Sequence, residues 1–407
     1  MRLSFFRLIV LTLIFSFFIS ANIFSQDTLP NPPMVVKTKT GWIWIEHLAS
    51  LSEPWGMTWL PDGGLLLTEK PGRLRIYANG KLSEPISGLP NTIEYHEQGG
   101  LLDVEIDPEF AQNKFVYIYF TEKADPQPTP KPTWEPGDPR FGEFQDHEDV
   151  IIKGGAVARG HLDGNELKDV QIIWRQTPKT MGRGHFGGRL VFAPDGHLFI
   201  TSGERQRFEP AQSLTNNIGK IIRINKDGSI PADNPFVSIK GAKADIWTLG
   251  HRNPLGAIIN PVSKQLWIHE MGPMAGDEIN IIVKGKNYGW PAVSNGDNYN
   301  FSRIPDHETN PRFAQPIYYW HPSVSPSGMA FYSGNLFKDW KGNLLMGSFN
   351  LEGLIRLTVD STNKVKAEER IPLGRRIRDV IEASDGSIWL LTDAKEGELL
   401  RLSPLSK

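Results

Sequence analysis

The sequence predicts an all-β fold, a six-bladed β-propeller with long loops on the face that carries its functional residues. Three observations lead there. A turn-and-strand unit recurs six times along the chain. Glycine, proline and tryptophan are abundant, at 39, 31 and 12 residues, a composition of turn-rich sheet rather than of helices. No amphipathic helical pattern of useful length interrupts the repeat.

The repeat is clearest in Pro61-Asp-Gly-Gly-Leu-Leu-Leu-Thr68, Pro194-Asp-Gly-His-Leu-Phe-Ile-Thr201 and Ser384-Asp-Gly-Ser-Ile-Trp-Leu-Leu391. Looser copies are Asn113-Lys-Phe-Val-Tyr-Ile-Tyr-Phe120, Pro261-Val-Ser-Lys-Gln-Leu-Trp-Ile268 and Trp340-Lys-Gly-Asn-Leu-Leu-Met-Gly347. Asp-Gly ahead of an apolar run is a tight turn entering a strand. A second strand follows several copies, as in Gly72–Tyr77, Lys220–Ile224 and Gly353–Leu357. Repeated small sheets arranged radially make a propeller. Met34–His47 is strand-like and is expected to supply the outer strand of the last blade, closing the ring and hiding its edges.

The rest of the chain divides around this repeat. Arg2 and Arg7 precede an apolar run from Leu8 to Ile19 and a short polar exit to Gln26. That pattern reads as a secretory signal over residues 1–26. The competing reading is a membrane anchor, since the run approaches spanning length. Residues 27–33 form a flexible lead, and 34–407 form one propeller domain. A Pro-rich, acidic stretch at about 123–150 reads as an irregular surface insertion between blades. The expected location is periplasmic or secreted, as a monomer or homodimer with no membrane span after signal removal. The absence of Cys excludes a disulfide framework. Lys+Arg 44 against Asp+Glu 46 gives a formal charge of −2, so no overall field draws the chain to nucleic acid.

Three glycine-rich patches read as the wall of one pocket: Gly182–Arg189, Gly250–Pro254 and Gly374–Arg378. Each sets His or Arg beside Gly, where the backbone can approach a ligand closely. The guanidinium fork suits carboxylates, so the expected ligand is small and anionic. Gly182-Arg-Gly-His-Phe-Gly187 also matches G-x-G-x-x-G, but a strand rather than a helix follows it, against a dinucleotide site. His185 is the leading catalytic candidate, as a neutral imidazole able to take a proton from a substrate hydroxyl. Glu204, just past the neighbouring strand, is placed to orient it. The alternative is a structural His bonded to a loop carbonyl. Arg252 and Asn253 could bind a carboxylate or quinone oxygen, or tie blades together. Arg376 and Arg378 alternate and so face one side, either solvent or an anion. Glu270-Met-Gly-Pro273 with Gly276-Asp-Glu278 makes a tight turn whose free carbonyls could hold Ca²⁺.

These residues fall in motifs that resemble the glucose/sorbosone dehydrogenase family, soluble quinoprotein aldose sugar dehydrogenases that use pyrroloquinoline quinone (PQQ). The motifs are His96-Glu-Gln-Gly-Gly-Leu-Leu102, Gly184-His-Phe-Gly-Gly-Arg-Leu190, Leu249-Gly-His-Arg-Asn-Pro254, Glu270-Met-Gly-Pro273 with Asp277-Glu-Ile-Asn280, Asn287-Tyr-Gly-Trp-Pro291 and Arg376-Ile-Arg-Asp379. The similarity runs from about Leu51 to Asp393, with these motifs in family order. The resemblance implies a six-bladed propeller that oxidises the C1 hydroxyl of aldoses to the lactone, with hydride passing to PQQ and electrons to an external acceptor. It implies His185 as the general base, supported by Glu204 and with Arg252 beside it. Gln98, Arg252, Asn253, Arg376 and Arg378 match residues that hold PQQ. Gly272 and Pro273 match the carbonyl ligands of the cofactor-bound Ca²⁺. The chain departs from the family pattern in three places. Gly184 stands where some members have Asp, and Glu204 where the supporting acid is usually Asp. A family lysine that contacts PQQ falls on Asn350, and Arg356 and Arg375 are the nearby cations that could replace its charge. Two further readings share the fold: a Ca²⁺-dependent propeller lactonase and a non-catalytic sugar-binding propeller.

Overall fold

In the computed structural model, residues 34–127 and 151–405 are described. The expected export signal at 1–26, the lead at 27–33 and most of the insertion at 123–150 lie outside them. The base of the insertion is closed by Gln127, whose side chain accepts from the Ile152 amide at 3.0 Å and donates to its carbonyl at 2.9 Å.

The chain begins with a hairpin, β1 (Met34–Thr38) and β2 (Gly41–Ser52). Five antiparallel four-stranded sheets follow, each laid down in chain order. The first holds β3 (Pro54–Trp59), β4 (Leu65–Glu69), β5 (Arg73–Ala78) and β6 (Lys81–Leu82). The second holds β7 (Leu101–Ile106), β8 (Phe115–Lys123), β9 (Lys153–Asp163) and β10 (Glu166–Arg175). The third is β11 (Gly187–Phe192), β12 (Leu198–Ser202), β13 (Lys220–Ile224) and β14 (Ile246–Leu249). The fourth is β15 (Pro254–Ile259), β16 (Leu266–Glu270), β17 (Asp277–Ile281) and β18 (Tyr318–Trp320). The fifth is β19 (Pro326–Phe331), β20 (Leu344–Ser348), β21 (Gly353–Val359) and β22 (Val365–Pro372). The last sheet joins the two ends of the chain in the order β1-β2-β25-β24-β23, with β23 (Ile377–Glu382), β24 (Ile388–Thr392) and β25 (Glu396–Pro404).

The six repeat copies are the second strands of the six blades: β4, β8, β12, β16, β20 and β24. A second strand has strands on both sides and another blade on each face. It is therefore buried almost throughout, as in β4, β12, β16 and β20. That is why these strands read as continuous apolar runs. Outer strands such as β22 alternate between buried and exposed residues, and carry a weaker signal. The N-terminal segment contributes more than the single outer strand expected of Met34–His47. It supplies two strands, and β2 pairs with β25 from Ile43 opposite Pro404 to Ser52 opposite Glu396.

The first strands pack side by side in a closed ring, β3 to β7, β11, β15, β19, β23 and back to β3. Arg189 of β11 reaches across its centre. The guanidinium pairs with Asp103 of β7 at 3.1 Å and Asp379 of β23 at 2.9 Å. It donates to the Leu255 carbonyl of β15 at 2.8 Å and lies 4.3 Å over the Trp55 ring of β3. Ser327 of β19 joins through the Arg378 carbonyl at 2.7 Å, so every blade touches this cluster directly or at one remove. Glycines make the room: a Cβ on Gly56 or on Gly328 would stand 2.3 Å from the Asp103 or the Asp379 carboxylate. Burial pushes Asp103 up to about 6, although Arg189 opposes it. The cluster separates a cavity of about 420 Å³ on the His185 side from one of about 550 Å³ on the other.

Among the described residues no helix is long and apolar enough to cross a membrane. The fold makes one sharp prediction about its centre. Arg189→Met keeps an unbranched stem and removes the guanidinium, leaving two buried carboxylates without their cation. Urea unfolding should show a loss of about 3–5 kcal/mol, the usual cost of breaking a buried ion pair from one side. A loss below about 1 kcal/mol would mean that the carboxylates simply take up protons.

Candidate active site

The 420 Å³ cavity opens where the second strands end and the segments leading into the first strands begin. The sheet geometry brings the three glycine-rich patches here from distant parts of the chain. Gln98, His185, Arg252, Asn253, Arg376 and Arg378 line the cavity, and so do Gly272 and Pro273. Glu204 stands behind His185 on the wall of a small side pocket. The strand that follows Gly182–Gly187 is β11, so the dinucleotide motif has no helix to complete it.

His185 and Glu204 form the central pair. His185 has a left-handed backbone, φ +54°, which turns the segment before β11 into the cavity. Its amide donates to Gln98 Oε1 at 3.0 Å. Its Nδ1 bonds the Glu204 carboxylate. Glu204 is 1 % exposed, and burial alone would raise its pKa. The His185 hydrogen bond, the charges of His185 and Arg252 and the Phe208 amide outweigh burial and hold it below the usual range. Its other oxygen takes the amides of Arg207 at 2.6 Å and Phe208 at 2.8 Å. The carboxylate therefore stays charged and fixes the imidazole. Arg205, fully buried, braces the segment by donating to the Gly184 carbonyl at 3.1 Å and to Thr180 Oγ1 at 3.0 Å.

Arg252 is anchored in the same manner. Glu270 at the end of β16 accepts the Arg252 amide at 2.7 Å and His251 Nδ1 at 2.6 Å. The Arg252 guanidinium donates to the Met271 and Gly272 carbonyls at 2.9 and 2.7 Å, and to the Tyr299 hydroxyl at 3.2 Å. Asn253 accepts the Gly187 amide at 3.1 Å, so it also ties two blades together.

Arg376 and Arg378 do share a side, and it faces the cavity. Both pair with Asp393, at 2.9 Å from Arg376 Nε and 3.0 Å from Arg378 Nε. Both lie over the Phe349 ring, at 4.3 and 4.6 Å. Burial works to raise the Asp393 pKa, but the Arg378 charge and the Arg376 hydrogen bond hold it at about 2. Asp277 differs: its largest influence is burial, which raises it despite donors from Ser323, Val324, Ser325 and Gly272.

Asn350 does not line the cavity. It is exposed, and its amide donates to the Ser323 carbonyl at 3.2 Å. Neither suggested substitute reaches the cavity. Arg356 is buried against Glu369, and Arg375 pairs with Glu398. The further cation is Lys70, which lines the cavity, pairs with Glu53 at 2.8 Å and donates to the Glu97 carbonyl at 2.9 Å. No motif marks Lys70. Asp393 did have a signal. Glu69, Glu122, Glu204, Glu270 and Asp393 all stand close to the end of a repeat strand, and this recurring acid marks that end in five of the six blades. Trp55, Phe349 and Tyr299 also line the cavity, and nothing in the local sequence sets them apart from core aromatics.

Residues 51–401 match the family model described as glucose/sorbosone dehydrogenase. The chain is 41 % identical over 362 residues to aldose sugar dehydrogenase YliI of Escherichia coli, covering 87 % of this chain and 91 % of that one. It is 28 % identical over 424 residues to quinoprotein glucose dehydrogenase B of Acinetobacter calcoaceticus, covering 85 % and 84 %. The apo crystal structure of the soluble E. coli aldose sugar dehydrogenase superposes with a TM-score of 0.80 at 40 % identity, covering 89 % of this chain and all of that one. A β-propeller whose loops gather a His–carboxylate pair and a set of cations is thus the class defined by fold and site. The chain belongs to the glucose/sorbosone dehydrogenase family.

The Glu270 anchor is open to test. Glu270→Ala would strand the buried His251 Nδ1 and the Arg252 amide. Unfolding in urea should show a loss of about 2–4 kcal/mol, the sum of two unsatisfied buried groups. A loss under about 0.5 kcal/mol would show that solvent replaces the carboxylate.

Proposed function

We propose that the protein oxidises the C1 hydroxyl of aldose sugars to the lactone, using PQQ and Ca²⁺ and passing electrons to an external acceptor. The observation that carries this reading is the His185–Glu204 pair opening onto a cavity lined by Lys70, Arg252, Arg376 and Arg378. Family membership and relatives named as aldose sugar and quinoprotein glucose dehydrogenases support it.

The residues fit an anionic, planar cofactor. Lys70, Arg252, Arg376 and Arg378 line the cavity together with the acids Glu97, Asp277 and Asp393, and Arg376 and Arg378 share Asp393 between them. Trp55 and Phe349 offer flat apolar walls. Arg376 and Arg378 would hold carboxylates through their forks, and Lys70, Gln98 and Asn253 would hold the remaining oxygens. Bound PQQ would supply the two-electron oxidation, which no side chain can perform. Among the described residues no group of three or more His, Asp or Glu forms a metal cage. Ca²⁺ would instead rest on the Gly272 and Pro273 carbonyls, hard oxygen donors that leave most of its coordination to the cofactor and water. The Gly272 carbonyl already accepts from Arg252, and a carbonyl oxygen has a second lone pair.

The protein's own part is proton removal. With Nδ1–H donated to Glu204, Nε2 is the accepting nitrogen of His185. It would take the proton of the C1 hydroxyl, and the fixed Glu204 charge would stabilise the imidazolium that forms. Arg252 would offset negative charge developing on the sugar oxygen. The export signal read at residues 1–26 would place this chemistry in the periplasm or outside the cell.

Reconstitution with PQQ and Ca²⁺, then dye reduction with an aldose panel, tests the reading. Chelation and desalting should abolish activity, and Ca²⁺ with PQQ should restore it. Full activity in verified metal-free protein would remove Ca²⁺ from the proposal. Failure to oxidise any aldose would overturn the whole reading. His185→Ala should lower turnover roughly 10²–10⁴-fold, and near-normal turnover in that folded variant would dismiss His185 as the base.

A further inference from the structure

Lys220 opens β13 with its side chain fully buried. Its Nζ donates to the carbonyls of Pro210 at 2.9 Å, Ala211 at 3.0 Å and Ile218 at 2.6 Å. Three acceptors require three donors, which an ammonium has and a neutral amine has not. Burial pushes the group down to about 7, and the charge of Asp245 opposes it. Asp245 itself accepts from Trp174 Nε1 at 2.8 Å and from Asn217 Nδ2 at 3.0 Å. A buried charge whose hydrogen bonds go to carbonyls rather than to a carboxylate carries a large desolvation penalty.

The carbonyls that Lys220 holds lie behind both halves of the active site. Pro210 and Ala211 belong to the short 3-10 turn Glu209–Gln212. The residue before that turn is Phe208, whose amide donates to the Glu204 carboxylate at 2.8 Å. The Ala211 carbonyl also accepts the Gly250 amide at 3.0 Å, and the carbonyl of Gly219, beside Lys220, accepts the His251 amide at 3.2 Å. Arg252 follows, and its carbonyl accepts the Glu204 amide at 2.8 Å. The segments that carry Glu204 and Arg252 therefore meet at one end of β13. The junction has no slack. A Cβ on Gly219 would stand 2.6 Å from the His251 carbonyl oxygen and 2.7 Å from Ala211 Cβ.

We propose that Lys220 is a positioning residue of the active site. Its ammonium holds the 209–218 segment so that the Phe208 amide stays on Glu204 and the 250–252 turn stays beside it. Lys220 does not line the cavity. It acts through Glu204, which fixes the His185 imidazole, and through the placement of Arg252. Its kinetic consequence rests on His185 as the base in the reading above, whereas its coupling to the His185–Glu204 pair does not.

Two variants test this. Lys220→Met keeps an unbranched stem and removes every donor. Lys220→Gln keeps an uncharged donor and serves if Lys220→Met does not fold. The first readout needs no cofactor. The His185 Nδ1 proton, held against Glu204, gives a far-downfield proton NMR resonance, assigned by its loss in His185→Ala. In a folded Lys220 variant this resonance should shift upfield or broaden. The second readout is dye-linked glucose oxidation per bound PQQ in protein loaded with PQQ and Ca²⁺. There kcat should fall roughly 10–100-fold, the scale of a misplacement of about 1 Å, while KM and PQQ affinity stay within about threefold. The chain has no Cys, so Lys220→Cys can be alkylated at one site alone, in urea before refolding. Aminoethylation restores an ammonium at the length of lysine and should bring both readouts back toward wild type. Propylation, equally long but uncharged, should not. A folded variant with an unmoved His185 resonance and kcat within about threefold of wild type would overturn the proposal. So would equal recovery after propylation, which would show that Lys220 only fills space. A wild type that oxidises no aldose would overturn the aldose reading, and the His185 resonance would still decide the coupling to Lys220.

Discussion

The Arg189 guanidinium is the contact on which the rest of the molecule depends. A propeller ring closes only if its first strands converge on one axis. Here that axis is filled by one cation held between Asp103 and Asp379, over Trp55 and under the Leu255 carbonyl. The cluster is costly to bury and strong only in good geometry. It also forms the boundary beneath the active-site cavity. Trp55 and Leu255, which it touches directly, line that cavity, as does Arg378, whose carbonyl Ser327 holds.

Around this centre the blades reuse one arrangement. The apolar second strand ends in an acid, which captures a group from a segment leading into a first strand. Glu69 accepts the Ser52 amide, Glu204 bonds His185, Glu270 takes the Arg252 amide with His251, and Asp393 pairs with Arg376. In some blades the result is only a fastened loop. In others the captured residue faces the cavity and becomes available for chemistry. The same local physics, a buried carboxylate seeking donors, thus serves both packing and the site. The fifth blade breaks the pattern: β20 is followed by Phe349 and Asn350 rather than by an acid. Phe349 there becomes the platform under Arg376 and Arg378.

The electrostatics of the cavity follow from how each charge is neutralised. The carboxylates behind the cavity wall, Glu204 and Glu270, each accept several donors. Arg252 turns its donors toward backbone carbonyls, Arg376 and Arg378 share Asp393, and Lys70 pairs with Glu53. These cations are assembled from separate blades, and Lys70 enters from the first blade, far in sequence from the motif that carries Asn350.

The sequence by itself determined the blade count and the second strand of each blade, because strands buried on both faces need unbroken apolar runs behind tight Asp-Gly turns. It also determined most of the cavity wall, since His185, Arg252, Arg376 and the Gly272-Pro273 turn sit in recognisable glycine-rich motifs. Only the tertiary structure decided the rest. Short or amphipathic outer strands such as β6 and β18 have too little pattern to be read, and the second N-terminal strand of the closing blade is defined by a partner at the other end of the chain. The source of the cavity's cations is likewise non-local. Arg356 and Arg375 are near in sequence but turned to Glu369 and Glu398, whereas Lys70 is brought in by ring closure.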